Sequence, residues 1–224
     1  MSKRISFTKV KKIYPDAGNF VALNDVSFTI DAGSIVALYG PSGSGKSTIL
    51  NIASGMDQPS TGEVFIADDK ISSFSAQELT LYRRENIGFV FQSYNLFPSL
   101  TAVENVEIIS VLNGVSAEDA RSQATLALQR VGLGNKINHR PSELSGGQQQ
   151  RVAVARSIAS NPHILFADEP TANLDSHTAI SLIDLLFELN QTHGTTIVFS
   201  THDPQILTRV PRQIRVKDGQ ILSD

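Results

Sequence analysis

The sequence predicts an α/β protein with a mostly parallel core sheet, an antiparallel β unit at its start and a helical block inserted midway. Three observations carry this reading. Short apolar runs, "SIVALYG" (34–40), "IGFVFQ" (87–92), "HILFAD" (163–168) and "TTIVFST" (195–201), have the length and β-branched content of buried strands. Helical periodicity fills most of the chain between them, and such alternation favours parallel pairing. The first run passes through a glycine-rich turn straight into a helix.

The opening reads as two β-rich runs, "RISFTKVKKIY" (4–14) and "VSFTI" (26–30), separated by the turn-prone "PDAGN" (15–19). After the strand at 34–40 comes a helix from about Lys46 to Ser54, then the strand "GEVFIA" (62–67). Beyond "IGFVFQ", residues 101–159 are mainly helical, broken at "NGVS" (113–116) and "GLGNKINHRPS" (132–142). Residues 176–192 form an amphipathic helix, with Ile180, Ile183, Leu186, Phe187 and Leu189 spaced for one face. "RQIRVKDGQIL" (212–222) closes the chain as a hairpin. No repeat or linker interrupts this order, so the reading is one unit over 1–224, with a core at 1–92 and 160–224 and a helical insertion at about 93–159.

Composition narrows the chemistry. The 224 residues include no cysteine, which excludes disulfides, thiolate nucleophiles and Cys-ligated zinc. A net charge of −3 argues against a large nucleic-acid surface. Lys9, Lys11 and Lys12, with Lys3 and Arg4 nearby, read as a solvated strand face. The N-terminus lacks the apolar run of a signal peptide. No apolar stretch reaches the roughly 18–20 residues that span a bilayer, so work at a membrane requires an anchor from elsewhere.

The turn after the first buried strand, Gly40-Pro41-Ser42-Gly43-Ser44-Gly45-Lys46-Ser47, fits the phosphate-binding pattern G-x-x-x-x-G-K-[ST]. Glycines let the backbone turn its N–H groups inward, and the helix N-terminus adds positive potential. Lys46 is expected to reach the β- and γ-phosphates and Ser47 to ligate Mg²⁺. Thr48 extends the nucleotide-binding stretch. "ILFADEP" (164–170) supplies the acidic partner: Asp168 at a strand end suits a metal, provided that strand neighbours the one before the cradle. Glu169 projects differently and suits orienting or deprotonating a water. Gln92 and His202 are further polar residues at strand ends, where such sheets bind ligands. His202 equally suits the first turn of a helix. Tyr14 can stack on a base or simply pack.

A second glycine-rich stretch raises a different question. Ser145-Gly146-Gly147 precedes the helical "QQQRVAVARSIA", whose Val152, Ala155 and Ile158 share one face. Free N–H groups at a helix start can hold an anion, and Ser145 is equally well placed as an ordinary cap. Local chemistry leaves both readings open.

Taken together, Tyr14, the cradle at 40–47, Gln92, Leu144-Ser145-Gly146-Gly147-Gln148, "ILFADE", "NLDS" (173–176) and His202 resemble the nucleotide-binding subunit of an ATP-binding cassette (ABC) transporter. The stretches "FQSYNLFPSLTAVENV" (91–106) and "PTANLDS" (170–176) look most like the branch of lipoprotein-releasing, macrolide-exporting and cell-division ATPases. The resemblance implies an ATP- and Mg²⁺-dependent ATPase working as a head-to-tail homodimer. Ser145, Gly146, Gly147 and Gln148 would then cover the γ-phosphate of ATP held by the other subunit. It further implies Tyr14 on adenine, Glu169 as catalytic base, His202 at the γ-phosphate and Asp175 at the dimer interface. Gln92 would sense metal and water and link to a separate transmembrane permease-type partner. The cassette would sit on the cytoplasmic face of the cell membrane through that partner, with no direct contact to nucleic acid. A cell-division-type signalling module shares every one of these residues. A DNA- or ribosome-associated ATPase fits less well, for want of a heptad run or a second cassette.

Overall fold

The computed structural model describes residues 4–223, so Lys3 of the basic opening lies outside the described residues. The chain begins with β1 (Ile5–Tyr14) and β2 (Phe20–Ile30), followed by β3 (Ile35–Tyr39), α1 (Lys46–Ala53) and β4 (Thr61–Ile66). Then come α2 (Ala76–Asn86), β5 (Ile87–Val90), α3 (Ala102–Leu112), α4 (Ala117–Arg130) and α5 (Gly146–Ile158). The last part holds β6 (Ile164–Ala167), α6 (Ser176–His193), β7 (Thr196–Thr201), α7 (Pro204–Leu207), β8 (Arg212–Lys217) and β9 (Gln220–Ser223).

Two sheets organise these elements. The first is antiparallel, in the order β2-β1-β4. The second runs β5-β6-β7-β3-β8-β9 and is parallel except for the closing β8–β9 hairpin. The period-2 alternation of a strand explains how the large sheet serves two cores. On β3, Val36 and Leu38 face the antiparallel sheet while Ala37 faces the helices. On β6, Ile164 and Phe166 point one way, Leu165 and Ala167 the other. Both faces are therefore covered, which is why these strands read as unbroken apolar runs.

Helices α3, α4 and α5 pack against one another, with Val103, Val106, Leu128 and Val152 in their shared core, and α5 also packs against β5. Across the molecule, Phe7 and Phe28 stack at 4.7 Å inside the antiparallel layer, where α1 also buries Ile49, Leu50 and Ile52.

Several expectations need correction. The second strand starts at Phe20, not Val26, because its pairing with β1 runs on to Tyr14 opposite Phe20. Helix α2 has no counterpart in the sequence reading because its apolar content is low, and the helix considered after Thr201 is the single turn α7, which starts at Pro204 and leaves His202 outside it. Of the expected stripe on α6, Ile180 stays exposed while Ile183, Leu186 and Leu189 are buried. Lys12 is not a solvated lysine, since its ammonium is drawn in against Asp57 and the Gln58 carbonyl. Gln92 does not end its strand, which stops at Val90. Finally, β6 does not neighbour β3, because β7 lies between them.

Candidate active site

The turn between β3 and α1 forms a cleft of about 330 Å³, lined by residues 42–48 together with Phe20, Ala22, Gln92 and Glu169. Its shape depends on glycine at two positions. A Cβ on Gly40 would meet the Val216 carbonyl oxygen at 1.9 Å, and Gly45 enters α1 in the left-handed region at φ 106°. An L side chain at either place would force the turn open. Lys46 is 5% exposed, and its Nζ donates to the carbonyls of Gly40 and Pro41 at 3.0 Å each. The ammonium is thus folded across the cradle with its charge inside. Ser47 and Thr48 follow in the first turn of α1.

Asp168 and Glu169 leave the end of β6 and are tied to the neighbouring strand. The Ser200 hydroxyl donates to Asp168 Oδ1 at 2.6 Å and accepts the Glu169 backbone N–H at 2.7 Å. Glu169 sits at φ 43°, an uncommon backbone position for a residue with a side chain. Glu169 lines the cleft, whereas Asp168 is held on Ser200 and is not among the lining residues. Although β7 lies between β6 and β3, Glu169 still lines the cradle's cleft. His202 lies in the loop before α7, not in a helix, and its Nδ1 is 3.4 Å from Glu169 Oε1. Gln92 reaches the cleft from the loop after β5, and its carbonyl accepts from Asn173 Nδ2 at 3.4 Å.

Tyr14 sits at the cradle's edge. Its hydroxyl donates to Asp57 Oδ2 at 2.8 Å, and the Lys12 ammonium stands 4.8 Å from its ring centre. Burial, then the hydrogen bond to Asp57 and that carboxylate's charge, push the phenol above its ordinary range, while Thr48 beside it pulls the other way. The aromatic that lines the cleft itself is Phe20, directly opposite Tyr14 in the β1–β2 ladder. Sequence reasoning passed over Phe20 because it stands at the end of a turn. It also passed over Ser200, hidden in an apolar strand.

The second glycine stretch behaves as a cap. Ser145 Oγ accepts from Gln148 N at 3.3 Å, and Gln148 Oε1 accepts from Ser145 N at 3.0 Å. This capping box uses one lone pair of the hydroxyl and leaves its O–H and the N–H groups of Gly146 and Gly147 as donors. Ser145–Gln148 do not line the cradle of their own chain. Asp175 caps α6, accepting from Thr178 N at 3.0 Å and Thr178 Oγ1 at 2.6 Å. Those bonds, the side-chain one first, hold its carboxyl below the usual range.

Among the described residues no three His, Asp or Glu side chains cluster as a ready-made metal cage. One carboxylate and one hydroxyl beside a phosphate cradle suit Mg²⁺, which takes most of its ligands from phosphate and water. A buried strand, a phosphate cradle with its lysine folded in, and carboxylates at the carboxyl ends of the parallel strands define the class, a P-loop nucleotide-binding protein.

Comparison with known proteins narrows that class. Residues 23–172 match the family described as ABC transporter. The chain is 42% identical over 212 residues to the lipoprotein-releasing system ATP-binding protein LolD of Idiomarina loihiensis, covering 94% of this chain and 93% of that one. It is 45% identical over 199 residues to the uncharacterized ABC transporter ATP-binding protein YbbA of Escherichia coli, covering 89% and 87%. It is also 40% identical over its whole length to a macrolide export ATP-binding/permease protein MacB of Yersinia pestis, of which it spans only 34%. The dimeric, post-hydrolysis structure of the ATP-binding cassette MJ0796 with ADP and Pi superposes with a TM-score of 0.91 at 43% identity, covering 98% of this chain and 97% of that one. The chain belongs to the ABC transporter family. It is an ATP-binding subunit of that family and an ATPase.

Proposed function

We propose that this subunit dimerises head to tail on ATP and transmits the resulting motion to a separate integral-membrane partner at the cytoplasmic face of the cell membrane. One observation carries the reading: among the described residues the Ser145 O–H and the N–H groups of Gly146 and Gly147 meet no side-chain partner and stand outside the cradle of their own chain. A second copy turned about a two-fold axis would bring them to the other subunit's nucleotide. The dimeric MJ0796 cassette supports this arrangement. We read residues 1–224 as one cassette, with the core at 1–92 and 160–224 and the helical part at about 93–159.

The chemistry follows from the residues. The cradle's N–H groups and Lys46 bind the β- and γ-phosphates and stabilise the charge that grows on them. Tyr14 and Phe20 supply an apolar wall for the base. Ser47, Asp168 and Gln92 would hold Mg²⁺, which when bound neutralises phosphate charge. Glu169 accepts a proton from the water that attacks the γ-phosphorus, as the bond to ADP breaks. His202, against Glu169, orients that carboxylate and faces the γ-phosphate. The partner's Ser145, Gly146, Gly147 and Gln148 complete the shell, with Asp175 beside them at the interface.

A docking place for the membrane partner lies close to Gln92. An apolar cleft of about 310 Å³, with Phe89, Phe91, Phe97 and Arg156 among its lining residues, opens beside the 92–95 segment, and Phe97 is 50% exposed. Among the described residues no helix is long and apolar enough to cross a membrane. The names of the relatives support a role in lipoprotein release or export.

The decisive experiment is gentle solubilisation of membranes and identification of the membrane protein that co-purifies. A partner with few membrane helices and a large extracytoplasmic domain supports the reading, and a typical importer permease overturns it. Reconstitution with that partner then separates substrate movement from a signalling role. For the dimer, Glu169→Gln with ATP should sediment as a dimer and revert to monomer with ADP.

A further inference from the structure

Ser200 has no counterpart in the functional reading above, yet its surroundings are unusual. It stands in β7 after Ile197, Val198 and Phe199, all fully or almost fully buried, and is itself 0% exposed. An apolar residue would suit such a strand better on packing and β-propensity alone. A buried hydroxyl is destabilising unless it is hydrogen-bonded. This one is bonded twice, and both partners belong to the acidic pair: it donates to Asp168 Oδ1 and accepts from Glu169 N.

We infer that Ser200 is a positioning residue for ATP hydrolysis, fixing the Asp168 carboxylate and the turn that presents Glu169. Register explains why this position can do it. Ala167 of β6 pairs with Phe199 of β7, so β6 ends where β7 continues, and Ser200 is the next residue beside the departing chain. The Glu169 backbone is held at φ 43°, a strained conformation that persists only where its surroundings impose it. The Ser200 bond to Glu169 N supplies that constraint. Its other bond occupies one oxygen of Asp168 and fixes the rotamer, leaving the second oxygen for a cation. A single hydroxyl thereby sets the relative placement of the metal-side and water-side carboxylates.

The inference rests on the roles proposed for Asp168 and Glu169, and its test separates the two. Ser200→Ala and Ser200→Thr are compared with wild type by ATP turnover, by Mn²⁺ affinity in the presence of ATP from paramagnetic resonance titration, and by thermal midpoint without nucleotide. Ser200→Ala should lower kcat at least tenfold with little change in KM and weaken Mn²⁺ binding severalfold, while Ser200→Thr, which keeps the hydroxyl, restores both. A fall in thermal midpoint with wild-type kcat and wild-type Mn²⁺ affinity overturns the inference and leaves Ser200 merely structural. Failure of the underlying reading looks different: Glu169→Gln would then turn over ATP normally, whatever Ser200→Ala does.

Discussion

Nδ1 of His202 stands 3.4 Å from Oε1 of Glu169, although the two residues follow different strands. The side chains share one task if the carboxylate accepts a proton while the imidazole holds it in place. Glu169→Gln should retain ATP binding and lose about 10²–10⁴-fold in turnover, the range for removal of a general base. His202→Ala should lose less, and the double variant should fall within about threefold of Glu169→Gln alone, because residues acting as a unit are not additive. Steady-state hydrolysis with equilibrium ATP binding checks this. Turnover at the wild-type rate in Glu169→Gln contradicts the base assignment.

The two glycines that open α5 are not equivalent. A Cβ on Gly146 would press on the Tyr94 hydroxyl at 3.1 Å, the far end of a side chain that can move aside, and lie in ordinary contact with the Asn173 carbonyl oxygen at 3.8 Å. A Cβ on Gly147 would strike Thr178 Cγ2 at 2.7 Å, close to the packed start of α6. Gly147→Ala should therefore destabilise the monomer by about 1–3 kcal/mol through overpacking, whereas Gly146→Ala folds normally. Gly146→Ala should still bind ATP as a monomer but lose dimer-dependent hydrolysis. Denaturant unfolding and concentration-dependent ATPase assays distinguish the two variants.

Asp57 links the cradle's aromatic edge to stability in acid. Burial opposes its ionisation, but hydrogen bonds from Lys12, Tyr14 and the Gln58 backbone, with the Lys12 charge, outweigh burial and hold the carboxyl below its ordinary value. A depressed folded value contributes stability that is fully present above the unfolded value near about 4 and lost as pH falls through the folded one. Asp57→Asn should accordingly lower the thermal midpoint between pH 5 and 8. The gap to wild type should close as the pH drops below about 4. Midpoints measured across that range check the sign: a gap that widens in acid contradicts it.

The parallel core and the cradle were legible in the residues because each rests on local rules. Buried strands such as Ile35–Tyr39 are continuous apolar runs, and Gly40 to Ser47 fill a turn that tolerates few other residues. Strand order was not legible. Nothing near Asp168 says that β7 separates it from β3, since pairing is settled by crossovers far along the chain. Ser200 escaped for the same reason: its partners lie 31 and 32 positions away, and a lone serine in a β-branched run carries no local signal. Lys12 looked solvated because Asp57, which draws it in, is 45 residues distant. The dual nature of Ser145 was readable as an alternative, and the capping box leaves both uses compatible.

Gln150 marks a place where the chain forgoes stability. It is 1% exposed on α5, and neither Nε2 nor Oε1 meets a hydrogen-bond partner among the described residues. Helical spacing places it one turn beyond Gly146 and Gly147, on the side that faces Tyr94, Asn173 and Thr178. A buried amide without partners costs about 1–3 kcal/mol. Gln150→Leu, similar in volume and apolar, should relieve that cost and raise the thermal midpoint by about 2–4 °C per kcal/mol regained in a domain of this size. The adjacent Gln149 provides the control, because its Nε2 donates to the Leu144 carbonyl at 3.1 Å. Gln149→Leu should leave the midpoint unchanged or lower it slightly. If Gln150→Leu instead melts earlier than wild type, the Gln150 amide is hydrogen-bonded in solution and contributes to stability.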